Sequence, residues 1–422
     1  MNLLVIGSGG REHAMVRKLA GDAPSASVYC APGNPGTAQY GTNVPIPATD
    51  VTALARFAAA EAIDLTVVGP EQPLAAGLVD EFESHGLAIF GPSASAARLE
   101  SSKAFSKRLM EECGVATAAF RIFENPAAAR AFAAGMEPPL VVKASGLAGG
   151  KGAVVCGDHR EAEKAIGDLM ERATLGEAGA EVVIEEFMEG EELSVFFLTD
   201  GSEAAALAPA RDHKRRFAGD TGPNTGGMGA YSPVRGADAA LIERIRREIA
   251  EPVLARLAEQ GSPYRGFLYA GVMLTAEGPK VVEFNCRLGD PEAQVVLPLM
   301  EDGLLDPLLA VGRGARLGGW RPASPSKAAL TTVVVQGAYP ASVHSGLRID
   351  LPADLETPDL HVYHAGTAHA GGQLVTAGGR VFGVTGIADD LATAAARSRA
   401  GAARIQFDGA DWRPDIGHSE TR

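Results

Sequence analysis

Short apolar runs alternate with helix-like segments along the N-terminal part of the chain. The apolar runs, which we predict to be strands, are residues 3–6, 28–31, 65–68 and 88–90, and the predicted helices between them are residues 12–20, 51–62 and 72–83. This alternation is typical of a parallel, doubly wound sheet with helices on its faces. We therefore expect an N-terminal α/β domain over residues 1–100.

The middle of the chain predicts two further sheets. A Gly91-Pro92-Ser93 break precedes residues 93–114, which we predict to be helical throughout. Within residues 120–187, strands at 140–144, 153–156 and 182–187 and helices at 126–134 and 161–172 predict a small α+β lobe. Longer strands at residues 192–199, 266–275 and 279–286, together with a charged helix at 239–259, predict an antiparallel core.

A proline-containing linker at residues 320–327 precedes a C-terminal α+β unit. Its predicted strands are residues 328–336, 362–364, 373–376 and 380–387, and its predicted helix is 389–404. The predicted fold class is therefore a multidomain α/β and α+β protein. The predicted domains are residues 1–100, a core of residues 101–119 and 190–325, an inserted lid lobe of residues 120–189, and a C-terminal domain of residues 326–422.

Composition and charge narrow the class of partner. The 422 residues are 46% hydrophobic and 21% charged, and the 51 glycines and 26 prolines stay below the level of disordered chains. A net charge of −14 argues against a nucleic-acid or anionic-membrane surface, because such a surface needs a basic face. Four well-separated cysteines, with no basic leader and no long apolar run, predict a reducing, cytoplasmic compartment. Any anionic ligand must be held by local features.

The first predicted strand runs directly into a glycine-rich turn. Gly7, Gly9 and Gly10 open a helix there, and a helix start offers backbone N–H groups and a favourable dipole to an anion. The dinucleotide pattern GxGxxG fails, because Glu12 occupies the third glycine position. A phosphate or sugar-phosphate site is the favoured interpretation, and a structural turn is the alternative.

A second glycine-rich segment, residues 145–152, follows a lysine on a predicted buried strand. Lys143 precedes the segment, and Lys151 lies within it after Gly149 and Gly150. It is not a Walker A loop, because that motif needs a glycine at position 145 and Ser or Thr at position 152. We predict that Lys143 contacts the inner phosphates of a nucleotide and that the glycines form a mobile flap over the outer ones, with an ordinary hairpin as the alternative.

The lysines support a functional interpretation of these segments. The chain has only nine lysines against 29 arginines, yet Lys103, Lys143, Lys151 and Lys214 lie in or beside the candidate motifs. A compact, mobile charge is therefore favoured at these places over the guanidinium group that the chain uses elsewhere.

A predicted strand ends in the sequence Glu283-Phe284-Asn285. Residues two apart on a strand point to the same face, so a carboxylate and an amide oxygen lie together. Mg²⁺ prefers such oxygen ligands and completes its shell with phosphates and water. The segment 287–292 follows at once, and Arg287 in it could hold a carboxylate substrate. A solvated strand end is the alternative.

A long polar loop spans residues 212–233. It begins with Asp212, His213 and Lys214 and continues through Thr225, Gly226 and Gly227. Loops of this length in compact domains are usually functional or disordered, and consecutive N–H groups in it could form an anion nest. The turn at His364 to Thr367 could also approach the active site or be structural.

Taken together, these motifs resemble the phosphoribosylamine–glycine ligase family, also called glycinamide ribonucleotide synthetase, of the ATP-grasp superfamily. The resemblance runs the full length and rests on residues 5–14, 68–71, the glycine flap, 212–215, 220–233 and 283–292, in the family's order. The stretches DTGPNTGGMG and RLGDPE are long enough to be highly specific. Ser145 departs from the pattern, because many members carry Asp there.

This resemblance implies an ATP-dependent ligation of glycine to 5-phosphoribosylamine through glycyl phosphate, with Mg²⁺ or Mn²⁺, in the second step of purine synthesis. It implies metal ligands at Glu283 and Asn285 and catalytic roles for Arg287, Asp290, Lys214 and Asp212. The implied ATP-binding residues are Lys103, Lys143, Gly149, Gly150, Lys151, Glu185, Glu186, Phe187 and Glu192. The implied substrate-binding residues are Gly9, Gly10, Arg11, Glu12, Gly69, Pro70, Glu71, Thr225, Gly226 and Gly227.

The partners are then small molecules: ATP, glycine and 5-phosphoribosylamine. We expect no nucleic acid, no membrane and a monomer. Two other functions stay open at this point. One is another ATP-grasp ligase or carboxylase that activates a different carboxylate, such as bicarbonate. The other is a nucleotide-binding protein that does not turn over.

Overall fold

The computed structural model describes residues 1–420. The strands of the N-terminal region are β1 Asn2–Gly7, β2 Ser27–Pro32, β3 Thr42–Asn43, β4 Leu65–Val68 and β5 Ile89–Phe90. Its helices are α1 Gly10–Asp22, α2 Val51–Ala60, α3 Glu71–Ala75, α4 Leu78–Ser84, α5 Ala94–Ser101 and α6 Lys103–Cys113. The five strands form a parallel sheet in the order β3-β2-β1-β4-β5. The predicted doubly wound sheet is confirmed.

Two helices predicted as continuous are broken in this region. Residues 93–114 form α5 and α6, because Ser102 adopts an extended conformation and its side chain accepts a hydrogen bond from the Phe105 N–H, which caps α6. Residues 72–83 form α3 and α4, because Gly77 adopts φ +86°, which stops the first helix. Each break depends on the conformation of one residue. The apolar spacing continues through both breaks, so it does not predict them.

The inserted lobe forms a separate four-stranded sheet. Its elements are β6 Phe120–Phe123, α7 Pro126–Ala134, β7 Leu140–Ala144, β8 Ala153–Cys156, α8 His159–Ile166 and β9 Val182–Glu186, in the sheet order β6-β9-β7-β8. The two helices pack on one face over a core of their own, in which Leu140, Val142 and Ile184 are buried. The predicted strands and helices of this lobe are confirmed, and the flap joins β7 to β8.

The core sheet is antiparallel, as predicted. The chain next forms β10 Glu191–Thr199, β11 Ala204–Ala206, β12 Arg211–Asp212, β13 Arg215–Phe217, β14 Thr221–Asn224, β15 Gly229–Ser232, α9 Ala239–Ile245, α10 Glu251–Glu259, β16 Gly266–Thr275, β17 Gly278–Asn285, α11 Ala293–Val296 and α12 Leu305–Gly312. The core sheet has the order β11-β10-β16-β17. One π-helical turn at 246–250 joins α9 to α10.

The last sheet contains strands from two distant parts of the chain. The remaining elements are β18 Ala328–Gln336, β19 Leu360–His364, β20 Thr367–Ala370, β21 Gln373–Thr376, β22 Arg380–Ala388, α13 Leu391–Ala402 and β23 Ala410–Asp411. The sheet order is β12-β15-β18-β22-β19, and β23 also pairs with β18. Two strands of the segment predicted as a long loop, β12 and β15, therefore belong to this sheet. The domain division by residue number remains a prediction.

A group of buried aromatic and histidine rings joins α1 to β19. The His13 Nδ1 accepts a hydrogen bond from the His364 backbone N–H at 2.8 Å, and the His13 ring meets the Tyr363 ring edge-on at 5.5 Å between centroids. Burial, reinforced by His364 and Arg17, holds the pKa of His13 well below its usual value, and burial lowers the pKa of His364 to about 4. The folded protein therefore keeps both rings neutral.

None of the helices formed by residues 1–420 combines the length and apolarity needed to cross a bilayer.

We predict that acidification weakens this junction. Because the folded pKa of each ring lies below its unfolded value near 6.5, the unfolded chain binds more protons as the pH falls from about 6.5 toward 4. The stabilisation is present above pH 6.5 and is lost through that window, by about 1.4 kcal/mol per pH unit for each histidine. Urea unfolding at several pH values should show a shallower slope for His13→Gln than for wild type. His159→Gln, at an exposed position in the inserted lobe, is the control and should keep the wild-type slope.

Candidate active site

A cavity of about 830 Å³ lies between the N-terminal region, the inserted lobe, the core sheet and the last sheet. Each region contributes to its wall: Glu71 from α3, Lys143 from β7, Glu283 from β17 and Arg380 from β22. The polar side chains predicted from widely separated motifs therefore meet in one place.

Most of the predicted site residues line this cavity, and a few do not. Those in the wall are Arg11, Pro70, Glu71, Lys103, Lys143, Gly149, Gly150, Glu185, Glu186, Phe187, Glu192, Asp212, Lys214, Thr225, Gly226, Glu283, Asn285, Arg287 and Asp290. Those outside the wall are Gly9, Gly10, Glu12, Gly69, Lys151 and Gly227.

The glycine turn at the start of α1 holds a carboxylate of the protein itself. The Glu12 carboxylate accepts hydrogen bonds from the Gly9 N–H at 2.6 Å and from the Arg11 Nε at 2.6 Å. A side chain on Gly69 would lie 2.2 Å from that carboxylate, and one on Gly10 would lie 2.5 Å from the Gln294 amide. In the structure Glu12 thus fills the helix start predicted as a phosphate cradle, and these glycines allow close packing.

Two lysines share one buried carboxylate at the end of the cavity beside the inserted lobe. Glu185 lies 2.8 Å from the Lys143 Nζ and 3.1 Å from the Lys107 Nζ, and its side chain is only 2% exposed. Burial lowers the pKa of Lys107 to about 8, although Glu185 opposes that shift. Glu186, which the resemblance also implies in ATP binding, accepts a hydrogen bond from the Ala119 N–H at 3.0 Å. The Glu185 carboxylate therefore orients Lys143 and Lys107 and does not face the open space of the cavity.

Ser145, the departure from the family pattern, fixes the start of α6. Its carbonyl accepts the Lys103 N–H at 2.8 Å, and its hydroxyl accepts the Ala104 N–H at 3.1 Å. This positions the Lys103 side chain in the cavity wall. The flap beyond it turns at Gly149 and Gly150, which have φ values of +55° and +78° that favour glycine.

Lys214 lies between acidic side chains in the middle of the cavity. Its Nζ is 2.5 Å from Glu192 and 4.0 Å from Asp212. Although burial alone would lower it, these two carboxylates hold the pKa of Lys214 well above its usual value. Burial raises the pKa of Asp212 despite Lys214, with Glu292 and Glu192 adding to the shift. Glu192, which the resemblance implies in ATP binding, pairs with Lys214 in this structure.

Arg287 is bound from two sides at the other end. Its guanidinium lies 2.8 Å from Glu100 on α5 and 3.2 Å from Glu71 on α3, and it donates a hydrogen bond to the Asn285 Oδ1 at 3.2 Å. Burial would raise the pKa of Glu71, but Arg287 and Arg11 hold it below its usual value. Glu100 also accepts the Cys286 N–H at 2.7 Å. The network joins the N-terminal region to the end of β17.

Arg380 brings β22 to the same end of the cavity. Its Nη1 donates to the carbonyl oxygens of Gly226 and Asp290, both at 2.5 Å, and its Nη2 lies 3.3 Å from the Asp290 carboxylate. Burial alone would raise the pKa of Asp290, but Arg380 and Arg11 keep it below its usual value. Asp290 is therefore an ionised, oriented carboxylate.

With this geometry in place, comparisons with known proteins give the family. The chain matches three family models, one after the other. They are Phosphoribosylglycinamide synthetase, N domain, over residues 1–100, the ATP-grasp (A) domain of the same synthetase over residues 101–293, and its C domain over residues 329–419. The chain belongs to the phosphoribosylamine–glycine ligase family. The ATP-grasp fold and its order of domains follow directly.

Named relatives agree with the family assignment. The chain is 46% identical over 424 residues to the phosphoribosylamine–glycine ligase of Ralstonia nicotianae, which covers 100% of both chains. It is 47% identical over 420 residues to the trifunctional purine biosynthetic protein adenosine-3 of Gallus gallus, where the match covers 99% of this chain and 42% of that one. The chain thus spans less than half of the trifunctional relatives.

Solved structures show the same fold. The phosphoribosylamine–glycine ligase of Thermotoga maritima aligns with a TM-score of 0.86 at 33% identity, covering 99% of this chain and 100% of that one. The biotin carboxylase domain of the Hydrogenobacter thermophilus 2-oxoglutarate carboxylase aligns with a TM-score of 0.76 at 14% identity, covering 97% and 91%. At 14% identity, the similarity to the biotin carboxylase domain shows a shared fold only.

ATP-grasp proteins act on ATP with a divalent cation, and this ligase-family chain has a donor pair that fits one. Among residues 1–420, no hydrogen bond or ion pair engages the Glu283 carboxylate. Burial would raise the pKa of Glu283, but Lys214, Lys103 and Lys143 hold it below its usual value, so it is ionised. Glu283 and Asn285 supply hard oxygen donors, as Mg²⁺ or Mn²⁺ requires.

The described part of the chain has no cluster of three or more His, Cys, Asp or Glu residues suited to a metal ion. A cation at Glu283 and Asn285 would therefore take its other ligands from phosphates and water. This agrees with a cation that arrives with a nucleotide rather than one caged by the protein.

Sequence reasoning missed several side chains of the ligase-family cavity, among them Glu100, Lys107 and Arg380. Lys107 could have been found, because it lies one helical turn after Lys103 on α6 and lysine is scarce. Glu100 and Arg380 carry no local signal. Only the tertiary fold brings them beside Arg287 and Asp290.

We predict that Glu100→Gln destabilises the fold, because the neutral amide leaves the buried Arg287 with Glu71 as its one ion-pair partner among residues 1–420. The loss should be about 1.5–3 kcal/mol in urea unfolding, the range for hydrogen bonds to charged groups. Glu112→Gln is the matched control: Glu112 pairs with Arg256 at 2.8 Å but is 45% exposed. That change should cost at most about 1 kcal/mol. Equal losses would contradict a special role for the Glu100 carboxylate.

Proposed function

We propose that this protein ligates glycine to 5-phosphoribosylamine at the expense of ATP, giving glycinamide ribonucleotide, ADP and phosphate. This is the second step of purine synthesis. One observation carries the proposal: in a chain 46% identical over its full length to a named ligase, one cavity unites lysines, the ionised Glu283 carboxylate beside the Asn285 amide, and arginine-bound carboxylates.

The first chemical step builds an activated acid. A carboxylate oxygen of glycine attacks the γ-phosphorus of ATP, the bond to the β-phosphate oxygen breaks, and ADP leaves glycyl phosphate behind. Lys143, Lys103 and Lys214 supply positive charge around the transferring group, which is the main need in phosphoryl transfer. When bound at Glu283 and Asn285, Mg²⁺ or Mn²⁺ would neutralise phosphate charge.

The second step forms the amide. The amine of phosphoribosylamine attacks the carbonyl carbon of glycyl phosphate, the carbon–oxygen bond to phosphate breaks, and a proton leaves the nitrogen. We place glycine near Arg287 and Asp290, and the sugar phosphate between Arg11, residues 69–71 and residues 212–214. Positioning and charge complementarity suffice, and no side-chain nucleophile is needed.

The assay that tests this function measures ADP with each substrate omitted in turn. ADP formation should require both glycine and phosphoribosylamine. Formation of ADP with bicarbonate and without glycine would overturn the proposal in favour of a carboxylase. Nucleotide binding without any ADP formation would overturn it in favour of a non-catalytic protein.

Glu283→Ala should lower ADP formation by about 100-fold or more, because it removes a charged ligand of the cation that would neutralise the transferring phosphates. Circular dichroism and the unfolding midpoint should stay close to wild type. Glu277→Ala is the matched control, on the turn that joins β16 to β17 with its carboxylate 77% exposed. It should retain full activity. A Glu283→Ala protein as active as Glu277→Ala would contradict the metal assignment.

We further propose that the protein is a cytoplasmic monomer. Among the described residues, five large hydrophobic side chains are exposed, and two of them, Val155 and Phe187, line the cavity. That leaves little apolar surface for a stable subunit interface. Light scattering should give a molar mass near 43.6 kDa. Twice that mass at micromolar concentration would contradict the monomer.

A further inference from the structure

Residues 411–420, here called the strap, run along the loop of residues 212–228, here called the substrate loop. The two segments meet repeatedly. The contacts are Asp411 with Arg216, Arg413 with Asp220, Asp415 with the Gly219 N–H, and Gly417 with His213, while Glu420 contacts Arg211 just before the loop. Ser419 of the strap also lines the cavity. The strap therefore contacts β13, the turn that joins β13 to β14, and His213 before the hairpin.

Arg413 is the central residue of these contacts. Its side chain is 1% exposed, and its Nε and Nη2 donate to the two carboxylate oxygens of Asp415 at 2.8 and 2.7 Å. Its Nη1 donates to the Arg215 carbonyl at 2.9 Å and to the Asp220 carboxylate at 2.8 Å. The planar guanidinium group can make all of these hydrogen bonds. A lysine ammonium group cannot reproduce the bidentate pair of bonds to Asp415.

The loop conformation that Arg413 holds is unusual. Asp220 has φ +52°, a left-handed backbone that few residues other than glycine adopt. His213, together with Arg413, holds the pKa of Asp220 below its usual range, so the carboxylate is ionised. A charged residue in a strained turn needs partners that keep it there.

The strap also sets the orientation of His213 in the cavity wall. The Gly417 N–H donates to the His213 Nε2 at 3.2 Å, and the Arg413 Nη2 lies 3.4 Å from the His213 Nδ1. Nδ1 also lies 3.5 Å from the Asp220 carboxylate. Both ring nitrogens of His213 are therefore directed by the strap and by the residue that Arg413 anchors.

We propose that Arg413 is a positioning residue for the ligation reaction. Through Asp220 and the Arg215 backbone, it holds the substrate loop closed over the cavity, with Asp212, His213 and Lys214 in place. This inference rests on the proposed function. Arg413 does not line the cavity, but it contacts three loop residues that do, His213, Arg215 and Asp220, so its effect on the chemistry passes through the loop.

A loop that closes the cavity should protect the activated acid from water. When the loop loosens, water attacks the carbonyl carbon of glycyl phosphate, the carbon–oxygen bond to phosphate breaks, and glycine and phosphate are released without amide. ATP is then spent without product. The distinctive expectation is therefore a change in the ratio of ADP to amide, which a simple loss of folded protein does not produce.

The test uses the full chain and three variants. Arg413→Lys keeps the charge and loses the fork, and Asp220→Asn keeps the shape of the partner and loses its charge. Arg404→Lys is the matched control: Arg404 lies just beyond α13, and its pair with Asp354 is 45% and 80% exposed on the two sides. Amide, ADP, MgADP affinity and the unfolding midpoint are measured for each.

We expect Arg413→Lys to lower the amide-forming kcat by roughly 10- to 100-fold, the effect of a small misplacement of catalytic groups. ADP formed per amide should rise above the wild-type value, and MgADP affinity should stay within about twofold, because the strap does not contact β7 or β17. Arg404→Lys should match wild type. Asp220→Asn should reproduce the Arg413→Lys effect, and the double variant should add little to either change.

Two outcomes would overturn the inference. One is an Arg413→Lys protein that is folded and has the wild-type ADP-to-amide ratio and kcat. The other is additive effects of Arg413→Lys and Asp220→Asn, since the proposed route passes through their contact. Failure of the proposed function is distinguishable, because it would show in the wild type as ADP formation that does not need glycine and phosphoribosylamine.

Discussion

The buried guanidinium of Arg287 is the interaction on which the cavity depends. Glu71 comes from the N-terminal sheet region, Glu100 from α5, and Asn285 from the end of β17, and all three contact this one group. A buried cation without partners would carry a large desolvation cost, so these elements must come together for the fold to be stable. The same contacts place Arg287 two residues beyond the candidate metal donor Asn285, which ties the geometry of the substrate end to that of the nucleotide end.

Much of this arrangement could be predicted from the sequence, and the reasons are local. Alternating apolar runs gave the parallel sheet, and Glu283 and Asn285 could be placed on one face because strand residues two apart share a face. What could not be predicted depends on tertiary contact. The break at Ser102 looks like ordinary helix in the apolar pattern, β15 lies within a glycine-rich segment that has few strand formers, and Arg380 enters the site from a strand far along the chain.

The net charge of the whole chain likewise does not predict the charge of the cavity. A total of −14 gives no hint of an anion-binding protein, yet the cavity wall carries Lys103, Lys107, Lys143, Lys214, Arg11, Arg287 and Arg380. Most of these cations face a carboxylate of the protein, as Lys143 faces Glu185. The site is therefore charged but nearly balanced before any ligand binds, and anionic substrates would have to exchange partners rather than meet bare positive charge.

The pairing of β15 with β18 has a consequence for how the protein folds. These strands are separated by roughly a hundred residues, and the core strands β16 and β17 lie between them in the chain. Contacts of such long sequence separation close late, since the loop entropy is lost before the pairing compensates for it. The loop between β12 and β15 is anchored only when β15 pairs with β18, so its place in the cavity wall depends on a strand about a hundred residues further along the chain. A change that weakens β18 would therefore also loosen residues 213–228, although β18 itself does not line the cavity.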